Sequence, residues 1–336
     1  MSEWAQGVAG RWVENMGADV ARYVIFAVAV WFILWVVLRG VLKGRKIREE
    51  TPPARQLVVE CLVSIRSIAI FSTVGVSMFM LEGAGLLPGP ALAAQRGMAW
   101  GIGSLVLMVI AHDAYFYWSH RLMHDPRLFR RMHRRHHRSN NPSPFTAYSF
   151  DLGEAAVLAS FVPLWMTLVP TPWTVVGLFM LHQIVRNTLG HSGYELMPAN
   201  RHGRPMIGFL TTTIHHDLHH AEAGWNYGLY FTWWDRMMGT EHPDYHARFA
   251  SVAARKQRNS GIASGAVKAV SLVLLAVAAP GVMARSSEAQ TSLDISGRWA
   301  TPGFGSIVEF TPCANGKETM CGRILWLWEE AGASKH

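Results

Sequence analysis

Cysteine is scarce, with three in 336 residues, too few for a disulfide scaffold. Charge is sparse as well. Only 16% of residues are charged while half are hydrophobic, which is too apolar for an ordinary soluble domain and points to several membrane spans. Neither the H-E-x-x-H signature of zinc proteases nor the paired E-x-x-H boxes of soluble di-iron bundles occurs. Gly101-Ile102-Gly103 lies inside an apolar run rather than between a strand and a helix, so it is no dinucleotide fingerprint. Any electrons the chain needs are therefore expected from a separate protein. No internal repeat or low-complexity tract is present. The net charge of +8 is local, with basic residues at 43–48, 127–138 and 254–258 beside apolar runs. Such flanks suit juxtamembrane loops facing anionic lipid, not a nucleic-acid surface.

The apolar runs order the chain. Ala21–Leu42 is long enough to cross a bilayer core of about 30 Å. Arg39, Lys43, Arg45, Lys46 and Arg48 follow, which sets this end in the cytoplasm and the N-terminus outside. The acidic start and the late first span argue against a cleavable signal peptide. Leu57–Leu81 is the second span, in which Arg66 has to snorkel or find a partner. Residues 82–97, rich in Gly, Pro and Ala, form the outer loop, and Met98–Trp118 returns inward. Ala155–Val169 and Trp173–Leu189 flank Pro170-Thr171-Pro172 as a membrane hairpin or two tightly joined spans. Residues 190–258 then lie on the cytoplasmic side again. Cys61 reads as buried in its span. A last apolar run, Ala266–Met283, follows Arg255, Lys256 and Arg258, and with Ser287-Glu288-Ala289 it has the pattern of a secretory signal caught inside a longer chain. Residues 284–336 have strand-like alternation, and Cys313 and Cys321 could pair in an oxidising compartment. Four regions are expected: 1–97 with the first spans and outer loop, 98–258 with the histidines and the hairpin, 259–283 as a signal-like or additional span, and 284–336 as an incomplete extracytoplasmic tail.

Histidine carries the chemistry. None of the sixteen precedes His112, and thirteen fall between His112 and His220. His120 and His124 form H-x3-H at the end of the third span. His133, His136 and His137 form H-x2-H-H, and His216, His219 and His220 repeat it, with His215 just before. Residues three and four apart share a helix face, so each cluster is expected to aim its imidazoles in one direction. Imidazole suits Fe, Zn, Cu and Ni, and eight or more histidines exceed what one ion can use. His182, His202, His242, His246 and His336 stand outside the pattern and read as ordinary polar residues.

The stretches DAYFYWSHRLMHDPRLFRRMHRRHH (113–137), NPSPFTAY (141–148), GHSGYE (190–195), HHDLHH (215–220) and NYGLYFTWWDRMMGT (226–240) resemble the fatty acid hydroxylase/sterol desaturase superfamily, in its sterol C5-desaturase-like branch. The resemblance covers about residues 20–250. It implies metal-ligand roles for His120, His124, His133, His136, His137, His191, His216, His219 and His220. His191 enters on the resemblance alone. Some relatives carry a further histidine where this chain has Glu195, which is then a ligand, a partner of one, or neither. Asp151 stands where several relatives have a histidine. Asp113 matches a family acidic position and either orients a ligand histidine or pairs with a basic residue; His215 and Glu195 are the other candidates for the shell around the ligands. The arginines of 127–138 meet lipid phosphates or dock an acidic electron donor.

The expected fold is all-α, a polytopic membrane bundle under a cytoplasmic histidine-rich cap, with a short β-like tail. The resemblance implies a non-haem di-iron oxygenase with two Fe ions. It would use O₂ and a separate electron donor, cytochrome b5-like or a ferredoxin with its reductase, to hydroxylate or desaturate a sterol-like or fatty-acyl membrane lipid. Its setting would be the bacterial inner membrane. A metal-binding or metal-transporting membrane protein is the rival, but its histidines should line spans near the midplane. Bis-histidine haem would need histidines on facing spans. The tail sequence 294–330 resembles the start of a small secreted bacterial domain of unknown function.

Overall fold

The computed structural model describes residues 3–87, 89–255, 297–300, 306–312 and 320–327. The chain divides into two compact units, Met1–Val282 and Met283–His336. In the first, the described helices are α1 (Glu3–Trp31, continued by a π-helical turn Phe32–Val37), α2 (Ala54–Gly83), α3 (Gly89–Ala94), α4 (Gly97–Met123), α5 (Pro126–Met132), α6 (Arg134–His137), α7 (Leu152–Leu168), α8 (Trp173–Gly190), α9 (Thr213–Ala221), α10 (Trp233–Met237) and α11 (Tyr245–Ala253). In the second, β1 (Gly297–Ala300), β2 (Ser306–Pro312) and β3 (Met320–Leu327) form an antiparallel sheet in the order β1-β2-β3. Cys321 is disulfide-bonded. Its expected partner Cys313 and the run Ala266–Met283 lie outside the described residues.

Three helices are long and apolar enough to cross a membrane: Gln6–Val37, α2 and α4. Their outward faces carry Val36, Val37, Val58, Leu62, Ile102 and Leu107, all exposed, as a lipid-facing surface should. This is a multi-pass membrane protein. α7 is a shorter apolar helix, and α8 follows it. Pro170-Thr171-Pro172 stops α7 because proline lacks the N–H that continues a helix. The turn is held by Trp165 Nε1 donating to Thr171 Oγ1 (2.8 Å) and Trp100 Nε1 donating to the Pro170 carbonyl (2.7 Å). Inside the bundle, Tyr23, Ile68, Tyr148, Phe150 and Ile184 form one core cluster, and Met108, Phe161, Trp165, Met166 and Phe179 a second. Arg66 finds its partner in the Phe150 carbonyl. Cys61, expected to be buried, is half-buried and free at the edge of the first cluster.

The basic loop after α1 packs onto the histidine region. Ile47 N donates to the Gly193 carbonyl (3.0 Å), Glu195 N to the Arg45 carbonyl (2.9 Å), and Arg48 pairs with Asp217 at 2.8 Å. Trp35 Nε1 donates to the Ser192 carbonyl at 2.8 Å. Gly193 sits beside that ring at φ +75°, where a Cβ would come within 2.9 Å of Trp35 Cζ2, so the residue must be glycine on two counts. These contacts place the 43–48 loop and the histidine-rich segments on one end of the bundle.

Candidate metal centre

All nine histidines expected as ligands come together, in two groups. His120, His124, His133, His137 and His219 make one; His136, His191, His216 and His220 make the other; within each, ligand nitrogens lie within 4.8 Å of one another. The grouping cuts across the sequence boxes. In each H-x2-H-H, the two members four residues apart go to one group and the middle member to the other. The expectation that each box aims one way is corrected here. In the second box all three lie on α9, where positions i and i+4 are about 40° apart and the middle residue is turned away from them; in the first, His133 sits at the break between α5 and α6, at φ −144°. Each box therefore bridges the two groups. His120 and His124, at the end of α4, do share a group, as their four-residue spacing requires.

The nitrogen geometry is that of metal ligands. Nε2 of His120 lies 2.9 Å from Nε2 of His133, and Nε2 of His137 3.1 Å from that of His219. Nε2 of His191 lies 2.9 Å from that of His216 and 3.4 Å from that of His136, and His220 and His216 are 3.2 Å apart. A neutral imidazole has one N–H and one lone pair, so a single nitrogen cannot hydrogen-bond to two others in this way. Nitrogens about 2.1 Å from a common ion, by contrast, sit about 3 Å apart when they are neighbours on it. On three of these rings the opposite edge is fixed by the protein. Nδ1 of His120 faces the Tyr227 carbonyl at 2.9 Å, Nδ1 of His191 the Asn187 carbonyl at 2.8 Å, and Nδ1 of His219 the Trp225 carbonyl at 2.6 Å. Carbonyls can only accept, so each Nδ1 carries the proton and each Nε2 keeps its lone pair for a metal. Nε2 of His124 is buried without a partner and completes the first group.

Burial sets the protonation. It depresses the His191 imidazole to about 4 and that of His137 to about 2, with neighbouring histidines adding to the effect on His137. Burial and then the adjacent imidazoles hold His136, His216, His219 and His220 well below the ordinary value. Neutral imidazoles are the form that binds metals. The residues fit a pair of metal ions with histidine-dominated coordination.

A supporting shell surrounds the ligands. Asp235, fully buried, accepts from Tyr227 N, Gly228 N and Thr240 Oγ1, each at 2.8 Å, and lies 3.4 Å from Nε2 of His215. Burial pushes its carboxyl up, but the donors of His215, Thr240 and Gly228 outweigh this and hold it below the usual carboxylate range. It thereby fixes the loop whose Tyr227 carbonyl orients His120. Gly228 has to be glycine, since a Cβ would come within 2.5 Å of the Phe231 carbonyl oxygen. Asn226 turns the loop at φ +57° and ties it to the His215 carbonyl at 2.8 Å.

His215 points to Asp235 and belongs to neither metal group. Asp113 does not reach a ligand histidine. It accepts from Tyr230 N (2.8 Å), Phe231 N (3.2 Å) and Trp233 Nε1 (3.0 Å), leaving His120 to a carbonyl. Glu195 is likewise outside both groups. It accepts from Met197 N at 2.8 Å and from Ile214 N at 3.0 Å, at the start of the helix that carries His216, His219 and His220. Burial raises its carboxyl to about 7 against the pull of those amides. Asp151 accepts from Arg135 N at 2.6 Å and so holds the short helix bearing His136 and His137.

Sequence reasoning missed Glu154. Its Oε1 lies 2.8 Å from Nδ1 of His133, off the line of an ideal hydrogen bond, and both side chains are buried. The available signal was an acidic residue in the first turn of an otherwise apolar helix. A cavity of about 320 Å³ was also illegible. It touches His120, His133, His136, His191 and His216 at one end and reaches Phe79 and Trp173 at the other. Along α8 alone its lining runs from Trp173 to His191, about 27 Å of helix.

Residues 105–240 match the family model described as Fatty acid hydroxylase. The chain is 28% identical over 146 residues to a Delta(7)-sterol 5(6)-desaturase of Gibberella zeae, covering 44% of each protein. It is 32% identical over 141 residues to Methylsterol monooxygenase 1 of Rattus norvegicus, covering 41% of this chain and 46% of that one. It is 29% identical over 235 residues to Lathosterol oxidase of Mus musculus, covering 69% and 74%. The chain thus spans under half the length of the first two of these relatives. No solved structure matches.

Proposed function

We propose that this chain, which through residues 105–240 belongs to the fatty acid hydroxylase superfamily, is a membrane-bound non-haem di-iron oxygenase that hydroxylates or desaturates a lipid. The observation that carries the reading is the meeting of two imidazole groups with one long cavity, His120 and His133 of the first group and His136, His191 and His216 of the second lining its end. The five-histidine group would hold one iron and the four-histidine group the other. Bound there, iron supplies the redox chemistry of O₂ that breaking an unactivated C–H bond demands.

The chain's own residues do the rest. The carbonyls of Tyr227, Trp225 and Asn187 keep Nδ1 protonated and Nε2 free on three ligands. Glu154 lies against His133 at the cavity wall. Phe116, Phe150, Phe161 and Phe179 line the passage, exclude water and align a hydrophobic chain or ring system with the histidine end. The relatives' names cite sterol substrates, so a sterol or similar polycyclic lipid is the first reading here and a fatty-acyl lipid the second. Electrons reach the site from a separate donor, cytochrome b5-like or a ferredoxin with its reductase. The basic 43–48 loop shares the histidine end of the bundle, which by the positive-inside rule faces the cytoplasm of a bacterial inner membrane. The metal-transport alternative is disfavoured because the groups cluster at one end of the bundle rather than along a path through it.

Lipid profiling of a host with and without the gene tests the proposal. The expected result is a lipid gaining one oxygen or losing two hydrogens, only in air. Identical lipid profiles in the two strains, or product formed under strict anaerobiosis, would overturn it.

A further inference from the structure

A second, smaller cavity also reaches the metal centre. It holds about 40 Å³, and His191 and His216 of the four-histidine group form part of its wall. It shares those two ligands, with Asn187 and Leu229, with the long cavity, so the two spaces meet at the same pair of imidazoles. They differ in what they hold. A space of about 40 Å³ exceeds the roughly 10–15 Å³ that one water needs and is far too small for a lipid. A buried water also needs two to four polar partners, and Arg186, Asn187, Glu195, Thr211, Thr212 and Thr213 line this space.

Glu195 is the acid of that wall. It is fully buried, with Met197 N donating to Oε1 and Ile214 N to Oε2. A carboxylate has about four lone-pair sites, so with the Thr212 hydroxyl as a third donor one site remains for a proton or a water. Burial raises the carboxyl to about 7 against those donors and the charge of Arg45. Arg186 on α8, His191 and His216 share the wall with it, and Tyr245 on α11 lies within electrostatic reach. At neutral pH Glu195 therefore both holds a proton and gives it up, the condition for acid–base work.

Oxygenation consumes protons. Two electrons from the donor and two protons reduce O₂ as the C–H bond breaks; one oxygen enters the lipid as a hydroxyl and the other leaves as water. In desaturation both oxygens leave as water, carrying the same two protons and two hydrogens of the substrate. The substrate fills the long cavity at that moment, so the protons need another way in.

We propose that the small cavity is the proton inlet of the four-histidine group. Glu195 gives its proton to water held there, the water passes a proton to the oxygen being reduced beside His191 and His216, and solvent at the histidine end of the bundle restores the proton on the carboxylate. The proton's destination rests on the oxygenase reading; the water-linked acid at Glu195 does not. Glu195 touches neither metal nor substrate in this account and acts through the water it positions.

Two measurements test the inlet, and the first needs no turnover. Infrared difference spectra of the purified, iron-loaded full chain, wild type against Glu195→Gln, isolate the Glu195 carboxyl. The expected band is a protonated carboxyl that titrates near neutrality and shifts within seconds of transfer to D₂O. The second is the pH profile of lipid product formation in host membranes supplied with NADH and NADPH. The wild-type rate should fall as pH rises through the Glu195 value, because a carboxylate has no proton to give. Glu195→Gln should lower kcat at least about tenfold with KM unchanged, and should lose that fall. Iron content equal to wild type would show that the α9 ligands are in place. Gly190→Leu is the second variant: Gly190 lines the cavity and a Cβ there meets nothing within 4 Å, so leucine displaces water while the hydrogen bonds of Glu195 stay intact. It should slow turnover likewise at full iron content. A carboxyl that does not exchange with D₂O, or turnover within about twofold of wild type in both variants, would overturn the proposal. A wild type that forms no lipid product would overturn the oxygenase reading and with it the proton's destination, while the infrared result still decides whether Glu195 is a water-linked acid.

Discussion

Replacing Asp235 with Asn perturbs the metal centre from outside it. The carboxylate receives Tyr227 N and Thr240 Oγ1 on Oδ1 and Gly228 N on Oδ2, all at 2.8 Å. An amide offers one oxygen. If that oxygen keeps Tyr227 and Thr240, the new NH₂ faces the Gly228 N–H, and one buried donor loses its acceptor at a cost of about 1–3 kcal/mol. The loop can relieve this only by moving, and it is closely packed where Gly228 approaches the Phe231 carbonyl. Movement draws the Tyr227 carbonyl away from Nδ1 of His120, now 2.9 Å distant. Loss of such a second contact to a ligand histidine typically weakens metal binding by about 10–100-fold. The variant should therefore lose affinity at the five-histidine group and keep it at the four-histidine group. Anaerobic titration of Fe(II) against a chelator reads both affinities on one sample. Two unchanged dissociation constants would refute the chain of reasoning from Asp235 to His120.

Other outcomes follow from the same geometry. His136→Ala and His219→Ala remove ligands of different groups, so each should reduce bound iron from two toward one per chain and abolish turnover while the protein stays in the membrane; iron analysis of membrane extracts checks it. Glu154→Leu should weaken iron binding at the His133 group by about tenfold, at the low end for such contacts because the carboxylate lies off the N–H axis; the same chelator titration reads it. In the metal-free protein, His191 titrates at about 4 when folded against an ordinary value near 6.5. Between those values the unfolded chain takes up a proton that the folded chain refuses, so stability falls as pH drops from 6.5 toward 4. Thermal unfolding of the metal-free protein from pH 7.5 to pH 5 should show a falling midpoint. Removal of residues 284–336 should leave lipid oxidation intact, because no ligand histidine lies there, and activity of the shortened chain measures this directly.

Much of the centre was legible because helix periodicity fixes it. The spacings within 120–137 and 216–220 singled out eight of the nine histidines that come together in the two groups, and the family resemblance added His191. The division between two groups was less visible. His136 and His137 are neighbours in sequence yet fall in different groups. The partners of Asp113 and Glu195 could not be read either. Both are acidic residues near histidines, but Glu195 accepts from the amides of Met197 and Ile214, and Asp113 from residues 230–233, a contact with α4 that no local pattern records. Glu154 was hidden by its surroundings, since a carboxylate opening an apolar helix resembles an ordinary first-turn acid. Three long apolar helices were legible from hydropathy and length, which follow from the bilayer's thickness, but the first runs over Gln6–Val37 rather than Ala21–Leu42. The cavity was not legible, since it is a space left between helices distant in sequence.

The central claim is that nine imidazoles hold two irons. Elemental analysis of the purified, anaerobically reconstituted chain, together with its optical spectrum, tests this most directly. The account predicts two irons per chain, no Soret band, and loss of one iron each in His136→Ala and His219→Ala. A single metal ion per chain, a haem spectrum, or two irons retained in both variants would contradict it.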